Sequence, residues 1–142
     1  MTAKEIIEAL GLIPHPEGGA FRETYRAKET VPIRSGRNLA TAIYFLLRAG
    51  EQSAWHRVAS DELWLFHGGD PLTLHIRDTG GSAQSVVLGM GIQAGECPQV
   101  LVPAGAWQSA IPEAGGSFGW TLVSCIVSPG FDFADFEMGE LD

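Results

Sequence analysis

Basic residues are scarce in this chain: nine Lys and Arg stand against 17 Asp and Glu, a formal net charge of −8 at pH 7. Such a surface repels phosphate backbones and anionic lipid, so no nucleic-acid or membrane partner is expected. Cysteine is scarcer still. Cys97 and Cys125 are too few for a disulfide scaffold, and no His–Cys spacing suggests structural zinc. Long apolar runs are missing, and the opening MTAKEIIEAL carries charges throughout, so it reads as neither a signal peptide nor a membrane span. Together these absences point to a cytoplasmic protein with reduced thiols. Internal repeats and low-complexity segments are also lacking, and one domain over residues 1–142 is expected.

Glycine and proline are plentiful instead. The 18 Gly and 8 Pro are spread along the chain rather than clustered, the pattern of short strands joined by tight turns. Thr2 and Glu5 have capping-box spacing ahead of an apolar stripe at Ile6, Ile7 and Leu10, and Gly11 supplies a stop. This predicts a short helix over 3–10. IPHPEGGAFRETYR then predicts a rigid turn leading into a strand over 20–26. From Leu39 onward, runs such as TAIYFLL, ELWLFHG, LTLHIRD and GWTLVSCIVSP alternate with Gly, Pro, Asp and Ser, which predicts an all-β sandwich or barrel. The tail FDFADFEMGELD, acidic but bearing Phe131, Phe133 and Phe136, reads as a segment laid over that barrel.

The stretch SAWHRVASDELWLFHGGD, residues 53–70, concentrates chemistry-bearing residues. In a strand, residues two apart share a face, so His56 and Val58 face one way and Glu62, Trp64 and Phe66 share a face of the next strand. A hairpin turning at ASD brings His56 and Glu62 together on its inner surface. Trp55 and Leu63 fall on the outer face.

The spacing resembles the first motif of the cupin superfamily, with Gly50, His56, Val58, Glu62 and Gly69 at its intervals. Pro103, Gly105 and Gln108 resemble the second motif. Over nearly the whole chain, HPEGGAFRETYR, TAIYFLL, SAWHRVASDELWLFHGGDPL and GWTLVSCIVSPGFDFADFE resemble a little-characterised group, cupin family 5. The resemblance implies a double-stranded β-helix, that is, a jelly-roll barrel like that of dTDP-sugar epimerases, and a homodimer. Metal-binding cupins use two motif-one histidines, the glutamate and a motif-two histidine. Here Val58 and Gln108 replace two of the four. His56, Glu62 and Gln108 would be the set for a divalent metal, but an amide is a weak third ligand, so no cofactor is expected.

The leading expectation is a small-molecule ligand, sugar-like by resemblance, held in the barrel. In its enzymatic form this is a metal-independent isomerisation or epimerisation, with His56 as base, Glu62 orienting it and Tyr44 as acid. Gln108 would hydrogen-bond the ligand, and Trp64 and Phe66 would wall the pocket. HPEGGAFRETYR offers Arg22 or Arg26 to a pocket mouth, where a guanidinium clamps an anion. Strand parity groups Arg22 with Thr24 and Glu23 with Tyr25, and leaves open which pair faces inward. The rival readings are a metal-dependent oxygenase and a non-catalytic ligand sensor.

Overall fold

The computed structural model describes residues 1–139. The helix α1 (Ala3–Leu10) begins at the expected capping box, with the Thr2 and Glu5 side chains each accepting the other's backbone N–H. It ends at Gly11, which adopts φ 66°. Its buried residue, Ile6, packs with Leu12, Ala20, Leu46 and Trp120, so the helix sits on the outside of the sheet it precedes. No helix among the described residues is long and apolar enough to cross a membrane.

The strands are β1 (Ile13–Pro14), β2 (Ala20–Arg26), β3 (Thr41–Arg48), β4 (Ser53–Arg57), β5 (Asp61–Gly69), β6 (Leu72–Arg77), β7 (Ala83–Leu88), β8 (Gln99–Val102), β9 (Trp107–Pro112), β10 (Trp120–Ser128) and β11 (Glu137–Met138). They form two antiparallel sheets, ordered β1-β2-β3-β10-β5-β8 and β11-β4-β9-β6-β7. This is a jelly roll. Strand alternation builds its interior: Leu72, Leu74 and Ile76 of β6 point inward, as do Val123, Cys125 and Val127 of β10.

The interior differs along its length. Phe45, Leu47, Trp64, Leu72, Leu74, Leu88, Val102 and Val123 pack together as a solid core. Toward the start of β3, the start of β5 and the end of β10, that core gives way to a cavity bordered by Thr41, Ile43, Glu62, Cys125 and Val127. The C-terminal segment closes this end. After β10 the chain crosses the opening, makes a 3-10 turn at Phe133–Asp135 with Asp132 as its cap, and adds β11 to the edge of β4. The expectation of a tail laid over the barrel describes this strap as far as Gly139, and residues 140–142 of that tail lie outside the described residues.

The strap is held by charge as well as by rings. Asp135 takes Nε of Arg37 at 2.9 Å and Nε of Arg34 at 3.3 Å, and Arg57 binds Glu137 at 2.8 Å. Hydrogen bonds from Arg37, together with its charge and the hydrogen bond and charge of Arg34, outweigh the opposing effect of burial and hold the Asp135 carboxyl below its ordinary range. Phe131, Phe133 and Phe136 make edge-on contacts with one another beneath these pairs.

Candidate functional site: a buried acid–base cluster under an aromatic cap

The cavity, of about 110 Å³, takes its polar groups from three directions. His56 comes from β4 in one sheet and Glu62 from β5 in the facing sheet. Glu17 enters from the turn between β1 and β2. That turn runs from His15 to Gly19: the N–H of His15 reaches the Gly19 carbonyl and the N–H of Gly18 reaches the His15 carbonyl, each at 3.0 Å. The Glu17 carbonyl accepts the N–H of Ala54 at 2.7 Å, which ties the turn to β4.

Both glycines of HPEGG are required here. Gly18 and Gly19 have φ of 106° and 77°, and a Cβ on either would lie 2.7 Å from a backbone oxygen, of Gln52 or Leu46. L-residues avoid that backbone region, and the clash is with main chain that cannot swing aside. Gly19→Ala is therefore expected to destabilise the fold by at least about 2 kcal/mol. Urea unfolding measures that cost, and the titration of His56 followed by NMR reports the displacement of Glu17. An unchanged His56 titration in a folded variant would show that the turn does not position the carboxylate.

Glu17 Oε2 lies 2.9 Å from Nε2 of His56. The other ring nitrogen, Nδ1, lies 2.7 Å from the Ala54 carbonyl. A carboxylate on one side and a carbonyl on the other both require a proton, so the geometry suits the imidazolium. Burial by itself pushes the pKa of this ring down. The charge and hydrogen bond of Glu17, the charge of Glu62 and the Ala54 carbonyl outweigh it, raising the pKa from 6.5 to about 9. The ring also stacks on Phe136 of the strap, with centroids 5.5 Å apart and planes at 24°. A cation over a phenyl face adds to this preference.

The second histidine is the opposite case. The backbone N–H of Glu17 donates to Nδ1 of His15 at 3.1 Å, so that nitrogen carries a lone pair and the ring is neutral. Burial, followed by the charge of His56, lowers its pKa against the pull of Glu17. Glu17 thus sits between one neutral and one cationic imidazole.

Glu62 is deeper. Burial raises its pKa, while His56, the amide of Gln108 and the thiol of Cys125 pull it down. Cys125 itself is pushed well up by burial and by the nearby carboxylates, so its thiol is a weak hydrogen-bond donor rather than a nucleophile.

Gln108, wholly buried and paired with His56 across β4 and β9, links the two sheets. Its Oε1 accepts from Nε1 of Trp64 and its Nε2 donates to Glu62 Oε1, both at 2.8 Å. An indole can only donate, so the orientation of the amide is settled by Trp64.

A family model described as Cupin superfamily (DUF985) matches residues 4–139. The chain belongs to this cupin family. A relative from Saccharomyces cerevisiae, the uncharacterised protein YML079W, is 30% identical over 94% of this chain and 73% of its own length. A hypothetical protein from Leishmania major has a solved structure with a TM-score of 0.91 at 40% identity, over 98% of this chain and 88% of that one. Protein SO0799 from Shewanella oneidensis superposes with a TM-score of 0.89 at 42% identity, over 99% and 85% of the two chains. More distantly, oxalate decarboxylase from Bacillus subtilis matches with a TM-score of 0.63 at 18% identity, over 88% of this chain and 29% of that one. At that distance the likeness concerns the cupin fold alone.

The metal set that a cupin would draw from this sequence does not fit. Gln108 turns its NH₂ toward Glu62, and its amide oxygen already accepts from Trp64, so it offers a cation only a neutral oxygen shared with the indole. Both nitrogens of His56 are likewise engaged. Among the described residues no group of three or more His, Cys, Asp and Glu is arranged to hold a metal ion.

The other residues singled out by spacing scatter. Trp64 is buried in the solid core and reaches the site only through Gln108. Phe66 packs against that same core and does not border the cavity. Tyr44 is placed on the helix side of β3, against the α1 cluster and 6.3 Å from His67, so the geometry does not bring its hydroxyl to His56. Arg22 is exposed and donates to the Leu10 carbonyl.

Thr24 is the unpaired residue of a bulge. Glu23 pairs with Ile43 and Tyr25 with Ala42, leaving Thr24 between them with its hydroxyl on the Ala42 carbonyl. The bulge also breaks the parity of β2. Glu23 and Arg26, not Glu23 and Tyr25, face the cavity, and the two form an ion pair at 2.6 Å.

What sequence reasoning missed is Glu17. The signal was present in HPEGG, a carboxylate held between a proline and two glycines, yet nothing along the chain marks its partner 39 residues later.

Proposed function

We propose that the protein binds a small molecule inside the barrel and that the Glu17–His56 pair exchanges a proton with it. The observation that carries this reading is a buried ion pair bordering a largely apolar cavity. Clusters that combine burial, opposed charges and shifted pKa values concentrate at functional sites. With its pKa near 9, His56 is the acid at neutral pH and Glu17 the complementary base, reversing the role that spacing alone suggests for the histidine.

Size and lining narrow the ligand. A cavity of about 110 Å³ is in the range of one that holds benzene, so the buried part of the ligand is on the order of six to ten heavy atoms. Phe21, Ile43, Val58, Val127 and the three strap phenylalanines give most of its wall. Hydroxyls of a polyhydroxylated sugar that fell against these groups rather than against the carboxylates would stay unpaired, at a cost of about 1–3 kcal/mol each. A compact molecule with an apolar body fits better.

Two measurements test the proposal. Small molecules extracted from protein purified at neutral pH and denatured should include a compact ligand, which the cavity-filling variant Val58→Phe loses while keeping its strand circular dichroism. For proton transfer, that ligand incubated with the protein in D₂O should exchange a carbon-bound hydrogen, and Glu17→Gln should slow the exchange by at least about a hundredfold. Retention of the ligand by Val58→Phe would sink the site. Binding with no exchange would reduce it to a non-catalytic sensor.

A further inference from the structure

The charged groups around the cavity are unevenly committed, and this bears on the charge of the ligand. The inference rests on the reading of the cavity as a ligand site. Its two cations have little left to offer. His56 spends one N–H on Glu17 and the other on the Ala54 carbonyl. Arg26, at the mouth, directs four hydrogen bonds to Glu23, Asn38 and the Phe131 carbonyl, out of five N–H groups. The remaining donors on the lining are neutral: Nε2–H of His15 and the Thr41 hydroxyl, whose oxygen already accepts the N–H of Phe131.

Acceptors are in surplus. Glu17, Glu23, Glu62 and Asp132 all border the cavity. Glu23 is matched by Arg26, and Asp132 by Arg37 from outside. In the buried part, two carboxylates, Glu17 and Glu62, share one imidazolium, and only Glu17 is within ion-pair distance of it. Glu62 has the Gln108 amide and the Cys125 thiol as partners, and a carboxylate has acceptor sites beyond those two. A buried charge without a counter-ion is costly, and the site relieves that cost by taking up either a proton or a cation. The rings of Phe21, Phe131, Phe133 and Phe136 on the lining are compatible with the second solution, because the face of a phenyl ring attracts an ammonium group.

We propose that the cavity takes a small primary amine in its ammonium form, with the charged head donating to Glu62 and an apolar body among the strap phenylalanines. An anion finds at most one spare cationic N–H, on Arg26 at the mouth, and none in the buried part, while a neutral ligand leaves Glu62 without a counter-charge.

The experiment compares three molecules of nearly one shape, n-butylammonium, 1-butanol and butyrate, titrated into the full-length protein at neutral pH and followed by NMR shifts of cavity side chains. n-Butylammonium is expected to bind at least about tenfold more tightly than 1-butanol, and butyrate more weakly than both. In Glu62→Gln, which keeps the shape and an acceptor for Gln108, that preference should shrink to about threefold or less. Equal binding of butanol and butylammonium by the unmodified protein would overturn the charge assignment and leave the ligand site standing. A preference that survives in Glu62→Gln would overturn the role of Glu62. Failure of all three to bind would count against the cavity as a ligand site and against the amine together. The order of the three in the unmodified protein decides the matter even if Glu62→Gln does not fold.

Discussion

Glu17→Ala is expected to cost about 3–5 kcal/mol of folding stability at neutral pH, more than any other single truncation at the site. Its carboxylate is buried, it holds the His56 imidazolium at 2.9 Å, and it is the largest influence raising the pKa of that ring. Removing it leaves a cation in an apolar cavity whose nearest anion, Glu62, belongs to Gln108 and Cys125. The ring answers by losing its proton, which limits the damage but leaves the Nε2 side without a partner. Urea unfolding at neutral pH measures the loss. NMR titration should find His56 near or below its ordinary value of about 6.5 rather than about 9. A variant that loses less than about 1 kcal/mol, with His56 still cationic at neutral pH, would mean that the pair is not what stabilises this end of the barrel.

The same pair sets a pH dependence. His56 has a folded pKa of about 9, above its unfolded value of about 6.5, so its contribution is fully present below about pH 6.5 and is lost as pH rises through about 9. The difference corresponds to about 3 kcal/mol. Glu62, also raised by burial, acts in the same sense, since the folded state holds its proton more tightly than the unfolded chain does. Stability should therefore decline from near-neutral to alkaline pH. The strap carboxylate Asp135, held low by Arg37, contributes in the opposite window, where its stabilisation is lost as acid protonates it. Urea midpoints between about pH 6 and about pH 10 should trace the alkaline decline, and Glu17→Gln should flatten it. A flat profile in the unmodified protein would contradict a cationic, buried His56.

Much of this architecture was legible along the chain because it rests on local rules. The capping box at Thr2 and Glu5, the stop at Gly11, the strand over 20–26 and the alternation in LTLHIRD each depend on neighbours a few residues apart, and each folds as its pattern requires. Motif spacing also marked His56 and Glu62 as neighbours at one cavity, but not by the expected hairpin: β4 and β5 belong to facing sheets and do not pair, so the two residues meet across the interior. Local rules failed where a single residue shifts parity. The bulge at Thr24 turns Arg26 inward and Tyr25 outward, and no composition signal announces it. They failed again at Gln108: its position opposite His56 could be counted, but its commitment to the indole of Trp64 could not.

The sequence by itself determined an all-β sandwich or barrel with a short N-terminal helix, because these follow from periodicity and caps, and its motif spacing carried the cupin resemblance that implied a jelly roll with two metal ligands lost. Only the tertiary structure decided what replaced the metal chemistry. A glycine-pinned turn delivers Glu17 to a histidine 39 residues away, and a C-terminal strap lays Phe136 over the same ring. The charge and hydrogen bond of Glu17, with Glu62 and the Ala54 carbonyl, then overcome burial and keep His56 cationic, which no pattern of neighbours encodes because these groups meet only in the fold.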